Sequence, residues 1–315
     1  MKQFLPAFLI LCTSTISSAQ SLSPTVIASA GGSGTTVGVT MDWTVGETMT
    51  ETYTSGALRI TQGFHQADVV RVRIDLEAFL EGPYSIALGR MKDGMRTAGY
   101  VPLTEPYTSL LYTHVGGGGE TTTAPVLAVT GPDAIIDWVF VELRDAGDNT
   151  NVLATRSALL QSDGDVVDTD GTSPLSIIAS PASFYIAIHH RNHLAVMTAS
   201  PVALTSTSVT IDLIDGSTAT YGTDAQKNDG GTRMSWAGDV KKDGMVKYTG
   251  DENDRDPILE SIGGVVPTAT TSGYIKEDVN LDGTAKYTGD ENDRDVILTV
   301  IGGVIPTNTR SEQMP

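Results

Sequence analysis

The chain has 315 residues, and its 38 Asp and Glu outnumber 20 Lys and Arg for a formal charge of −18. That balance excludes non-specific nucleic-acid binding, which needs a basic surface, and adsorption to anionic lipid. Hydrophobic residues make up 40% of the chain, enough for real cores, and one Cys is too few for a disulfide scaffold or a cysteine-based metal site.

Residues 1–19 read as a secretory signal peptide. Lys2 supplies the positive start, residues 4–12 are apolar, and Ser17, Ser18 and Ala19 are small residues suited to cleavage after Ala19. The apolar run is too short to span a bilayer, and no later run approaches membrane length, so no transmembrane segment is expected. The mature chain is therefore expected to be secreted, and to be extracellular or on the outer cell surface.

Residues 20–66 predict a small antiparallel β-sheet. Met41, Trp43 and Val45 alternate with Asp42 and Thr44, and Leu58 and Ile60 alternate with Arg59 and Thr61. Residues 67–215 predict a β-sandwich built from many short strands. These fall at residues 135–144, 152–160, 184–189, 194–197 and 209–213, separated by Gly, Pro, Asp and Asn. The four glycines at 116–119 are costly to order and predict a mobile loop tip. Residues 216–235 are polar and read as a linker.

Residues 236–315 contain an internal repeat. The stretch DVKKDGMVKYTGDENDRDPILESIGGVVPT begins at Asp239, and DVNLDGTAKYTGDENDRDVILTVIGGVIPT begins 39 residues later at Asp278; 22 of the 30 positions are identical. Each copy opens with alternate oxygen-bearing residues before a glycine: Asp239 and Asp243 before Gly244, then Asp278, Asn280 and Asp282 before Gly283. A hard cation such as calcium needs six to eight oxygens around one point, and a sharp glycine turn lets alternate side chains converge there. Met245 and Thr284 would add backbone carbonyls. The spacing then departs from an EF-hand loop, because Gly250 and Gly289 stand where its closing acid belongs. A lengthened loop is expected instead, closed by Asp251, Asn253 or Asp254 and by Asp290, Asn292 or Asp293. A short helix should follow, capped by Asp254, with Ile258, Leu259 and Ile262 on one face and Gly263-Gly264 as its stop. Two calcium ions are expected. The second site should bind tighter, since Lys241 stands where the second copy has Asn280.

The repeat resembles dockerin-type calcium domains. Asp239, Asp243 and Gly244 match the opening of that pattern, as do Asp278, Asn280, Asp282 and Gly283; the extra residues between Gly244 and Asp254 depart from it. The resemblance implies a cohesin-like docking partner or a place in a surface assembly. The segments IASAGGSG, DWTVGE and ITQGFHQ (27–34, 42–47, 60–66) resemble an N-terminal module of secreted Bacteroidetes proteins. LEGPY, THVGGGGE, DWVFVELRD, LATRSALLQSDGDVVD and HHRNHLAVM (80–84, 113–120, 137–145, 153–168, 189–197) resemble extracellular haemagglutinin-like or adhesin-like proteins of that group. These resemblances imply a cell-surface, β-rich protein that binds an extracellular glycan or protein.

Other chemistry is sparse. His189, His190, Arg191, Asn192 and His193 form a cluster with no acid inside it. A transition-metal site would pair His189 with His193, a spacing that shares a face only in a helix, whereas 184–189 reads as a strand. The turn is the candidate ligand-binding loop of the sandwich. Trp43, Trp138 and Trp236 could stack on sugars, although Trp138 lies in an apolar strand and reads as core. There is no G-x-S-x-G elbow, no H-E-x-x-H and no phosphate loop. The expected fold is mainly β, with a small N-terminal β-sheet unit, an antiparallel β-sandwich body and a C-terminal pair of α-helical loop-helix repeats. The expected role is a non-catalytic, calcium-binding adhesin. The alternatives are an accessory protein of polysaccharide degradation and a structural surface subunit.

Overall fold

The computed structural model describes residues 70–315, together with the backbone of four strands nearer the N-terminus. The chain divides into two compact units, Met1–Asp68 and Val69–Pro315. In the first unit, Ala30–Thr36 pairs antiparallel with Val39–Val45, and Tyr53–Ser55 with Leu58–Ile60. Both alternating stretches of the sequence are strands, and their pairings are antiparallel as expected. The expected signal peptide lies outside the described residues.

The second unit is mainly β. Nine strands join in one hydrogen-bonded sheet: β1 Arg71–Glu77, β2 Ile135–Asp145, β3 Val152–Gln161, β4 Asp165–Val167, β5 Leu175–Ile178, β6 Ala182–His189, β7 Val196–Met197, β8 Val202–Leu204 and β9 Val209–Asp212. The central order is β5-β1-β4-β3-β2-β6-β7, with β8 also on β6 and β9 also on β1. All pairs are antiparallel except β9 with β1. The body was expected to be a sandwich of two sheets, but its strands share one ladder. The cover over the sheet includes the 90–107 stretch, a short strand, one helical turn and the chain after them, whose Met91, Met95, Val101 and Tyr107 join the core that holds Trp138, Phe140 and Leu159. β2 is covered on both faces, since its first nine residues are all buried. A strand buried on both faces reads as a continuous apolar run rather than an alternation.

The expected linker is structured. Gln226–Asp229 (β10) and Thr232–Ser235 (β11) form a hairpin. Ser235 N donates to Phe79 O at 2.8 Å, and Glu81 N donates to Ser235 O at 3.0 Å. Polar composition misleads here because a hairpin can rest on the body through backbone bonds and still present polar side chains to water.

In the repeats, β12 Met245–Lys247 precedes helix α1 Arg255–Ser261, and β13 Thr270–Ser272 follows it; the second copy supplies β14 Thr284–Lys286, α2 Asp293–Val300 and β15 Thr309–Ser311. The strands pair across the copies, β12 with β15 and β13 with β14. Each copy thus lends its last strand to the other. Side chains repeat the exchange: Thr249 Oγ1 donates to Pro306 O, and Thr288 Oγ1 to Pro267 O, both at 2.8 Å. A second core forms from Val240, Val246, Ile258, Val279, Ile297, Val300 and Ile301. Leu194 of the body is buried in that core, and Leu281 of the repeat is buried in the sheet core.

Candidate functional site

Each repeat folds its loop around two buried carboxylates. In the first copy Asp239 accepts from Asp243 N and Gly244 N, both at 3.1 Å. Asp254, which is fully buried, accepts from Lys241 N at 3.0 Å and Lys247 N at 2.8 Å. The second copy repeats the arrangement. Asp278 accepts from Asp282 N at 3.1 Å and Gly283 N at 2.8 Å. Asp293 accepts from Val279 N at 2.6 Å, Asn280 N at 3.2 Å and Lys286 N at 2.7 Å. Gly244 and Gly283 take the left-handed turns that the spacing requires, with φ of 76° and 92°.

The electrostatics of these loops is unfavourable as it stands. Burial raises the Asp239 carboxyl to about 7, and the neighbouring Asp254 adds to the rise. Burial likewise raises Asp254 to about 6, against the pull of its backbone N–H donors. Burial raises Asp278 to about 6, although Arg191 pulls the other way. Asp293 rises to about 7 through burial and then the nearby Asp278. Two desolvated carboxylates of like charge side by side are costly unless a cation joins them. Among the described residues no three His, Cys, Asp or Glu side chains converge on one point. A cation in these loops would therefore draw its remaining ligands from carbonyls, the Asn280 amide and water. That mixture suits calcium.

The structure sorts the expected ligands. Asp239, Asp243 and Asp254 belong to one loop, and Asp278, Asn280, Asp282 and Asp293 to the other. Asn280 Oδ1 accepts from Asp282 N at 2.9 Å, which places its amide inside the loop. Met245 and Thr284 lie on β12 and β14, with their N–H groups donating to Asp243 and Asp282. Asp251 and Asp290 are exposed on the rim. Asn253 and Asn292 turn the other way, accepting from Asp256 N and Asp295 N at 2.9 Å and capping the helices. The cap expected from Asp254 thus comes from Asn253, because the Asp254 carboxylate reaches back to two loop amides. Lys241 does not oppose a cation in its loop, since its ammonium meets Glu252 on the rim at 2.6 Å. In the second copy the ammonium of Lys286 holds Asp282 at 2.8 Å.

The histidine turn is an internal tie. His190, Arg191, Asn192 and His193 are all buried and His189 is half-buried; His189, His190 and His193 line a cavity together with Tyr112, Asp239 and Asp243. The acid of the turn comes from another strand. Asp137 meets His190 Nε2 at 3.1 Å, Arg191 Nε at 3.0 Å and the Tyr274 hydroxyl at 2.7 Å. Burial would raise the Asp137 carboxyl, but Arg191 and these hydrogen bonds bring it to about 2. Arg191 lies over the Tyr274 ring, 4.6 Å from its centroid, and donates to Ile275 O. Gly82 N donates to His193 Nε2 at 3.1 Å, and His193 Nδ1 sits 2.8 Å from Asn192 Oδ1. These partners fix His193 as the neutral Nδ1–H tautomer and His190 as the Nε2–H tautomer. Burial lowers both imidazoles below their ordinary range. Asp137 and Tyr274 carry no local signal in the sequence, because Asp137 lies 53 residues from His190 and 137 residues from Tyr274.

The glycine loop is also ordered. Gly116–Gly119 all take left-handed backbone. The amide of Gly118 points at Glu120, and the amide of Gly119 at Glu105, each near 3.0 Å. Trp138 is fully buried, with Nε1 donating to Pro102 O at 2.8 Å, as its apolar strand predicted. Trp236 is covered by the Arg310 guanidinium at 3.5 Å. No described helix is long and apolar enough to cross a membrane. No family model, no curated protein and no solved structure matches this chain.

Proposed function

We propose that this is a non-catalytic, secreted or cell-surface calcium-binding protein whose adhesin-like body contacts an extracellular glycan or protein. The observation that carries the calcium reading is the pair of buried carboxylates, Asp239 with Asp254 and Asp278 with Asp293, repeated at equivalent positions with no basic side chain among the described residues bonded to any of the four. Asp239 and Asp254 would hold one ion with the Met245 carbonyl, joined by Asp243 on a turn of its side chain. Asp278, Asn280 and Asp293 would hold the other with the Thr284 carbonyl, joined by Asp282 in the same way. Bound calcium would neutralise the carboxylates and link folding of the repeats to the ion. Calcium titrated into the chelator-stripped chain by calorimetry is expected to fill two sites; no binding would end this reading. The extra Asn280 oxygen favours the second site, so Asp282→Ala should cost more calcium affinity than Asp243→Ala. For the body, binding of the calcium-loaded chain to immobilised glycans and to cells is the test, and binding to none would remove the adhesive role.

A second reading is favoured by one surface feature. Val265 and Val304 are 83% and 84% exposed at equivalent positions, each followed by another exposed aliphatic, Val266 or Ile305. Such duplicated apolar knobs suit a docking partner of the dockerin kind or a neighbouring subunit of a surface assembly. Capture of one partner from secreted extracts, abolished by Val265→Asp with Val304→Asp, would favour docking over adhesion by the body.

A further inference from the structure

We infer that Asn192 couples the two cation loops, so that occupancy of one raises the affinity of the other. This inference rests on the calcium reading above. Asn192 stands on the sheet side, in the turn after β6, and is 1% exposed. Its backbone carbonyl accepts from Gly238 N at 3.0 Å, immediately before the first ligand of the first loop, Asp239. Its side-chain amide donates to Asp278 O at 2.8 Å and to Lys276 O at 2.9 Å, at the start of the second loop. Its Oδ1 faces His193 Nδ1 at 2.8 Å. One residue therefore bonds the peptide just before the first loop and the first residue of the second.

The neighbours hold that residue in place. His190 and Arg191 are anchored on Asp137 of β2, and Arg191 also binds Ile275 O. Gly238, the donor on the first loop, lies against Ile297 of α2 and Val246 of β12, so its peptide is packed as well as bonded. An ion in the first loop fixes Asp239 and with it the peptide that Gly238 presents to Asn192. Ordering Asn192 then orders the 276–278 backbone before the second ion arrives. A second ligand that meets an already ordered site loses less conformational entropy, which appears as positive cooperativity. By linkage the effect is the same in either direction.

A double-mutant cycle on the full chain tests this with calcium alone as the probe. Asp278→Asn disables the second loop and is expected to weaken calcium binding at the first by about 5-fold or more, the lower end of ordinary coupling. In an Asn192→Ala background the same substitution should leave the first loop unchanged. Hydrogen exchange gives a reading that does not depend on the Asn192 variant folding. In the Asp239→Asn chain, calcium entering the second loop should slow exchange of the Gly238 amide. If Asp278→Asn leaves first-loop affinity unaltered, or if the Gly238 amide ignores calcium at the second loop, the coupling is refuted while the calcium reading survives. If the unmodified chain binds no calcium, the calcium reading itself fails.

Discussion

Asp137 holds three side chains of the body and the repeat on one carboxylate. It is fully buried against the equally buried Arg191 and also serves His190 and Tyr274. Removing one partner of a buried ion pair leaves the other charge uncompensated, at a cost of about 3–5 kcal/mol. Asp137→Ala should lose stability of that order in urea unfolding; a loss within the range of surface substitutions would mean that water reaches Arg191. The pH dependence has two opposed parts. His190 and His193 have lowered pKa values, so an unfolded chain takes up protons below about 6.5 that the folded chain refuses, and stability falls as pH drops through that range. Asp239, Asp254, Asp278 and Asp293 are raised to about 7, 6, 6 and 7, so the folded chain holds extra protons between about 4 and 7 and loses stability as pH rises. Calcium competes with the second set of protons only. The difference in Tm between calcium-loaded and chelated protein should therefore widen from pH 5 to pH 8, by at least about 5 °C given about 2–4 °C per kcal/mol for a unit of this size. A difference constant across that range would show that the carboxylates are not where calcium binds. The acids at 239, 243, 278 and 282 were legible in sequence because alternate spacing before a glycine is a local signal. The roles of Asp254 and Asn253 were not, since neighbouring polar residues in one acidic run differ only in which way the backbone turns them.

At the scale of elements, the repeats are two copies that exchange strands. β12 and β13 belong to the first copy, yet both pair with strands of the second. Three-residue strands have no independent stability as isolated ribbons. The first helix buries Ile258 in a core whose remaining aliphatics include Val279, Ile297, Val300 and Ile301 of the second copy. A peptide of residues 236–275 should therefore remain unfolded in saturating calcium, with no helical signal in far-ultraviolet circular dichroism. A folded single copy would mean that the exchange is dispensable. The duplication itself was plain in the sequence, and so were both helices, whose aliphatics at 258, 259 and 262 and at 297, 298 and 301 share a face. The exchange was hidden because identical copies give no cue to whether a strand pairs within its own copy or with the other. β1 is legible as an alternation: Val72, Ile74 and Leu76 alternate with exposed or half-buried residues, and all three are buried. The hairpin of β10 and β11 had no such signal, because Met234 is its one aliphatic side chain in the sheet core and the rest of its hold is backbone bonds and the Lys227–Glu81 pair.

At the scale of the whole unit, the question is whether the repeats form a separable module, as a dockerin-like reading supposes. Two glycines argue that they do not. A methyl group at Gly82 would come within 2.1 Å of Val279 O, and one at Gly94 within 2.9 Å of Leu281 O. Neither glycine is in the left-handed region, so the need for glycine there is the close approach of body and repeat. Leu281 lies in the sheet core and Leu194 in the repeat core, so separating the two parts would expose an aliphatic from each. Residues 69–315 should accordingly unfold in one thermal transition. Gly82→Ala forces backbone apart at the joint, and overpacking a tight contact costs about 1–3 kcal/mol. The variant should lower Tm, split the transition in two and weaken calcium binding at the second loop, because Val279 follows Asp278 directly. Gly147→Ala is the control, since the nearest atom to its methyl group would be Asp145 Oδ1 at 3.5 Å. If Gly82→Ala unfolds in a single unshifted transition with unchanged calcium affinity, the joint is soft and residues 236–315 can act as a detachable docking unit. If the transition splits, the repeats draw part of their stability from the sheet, and calcium there reports on the body as much as on the loops that hold it.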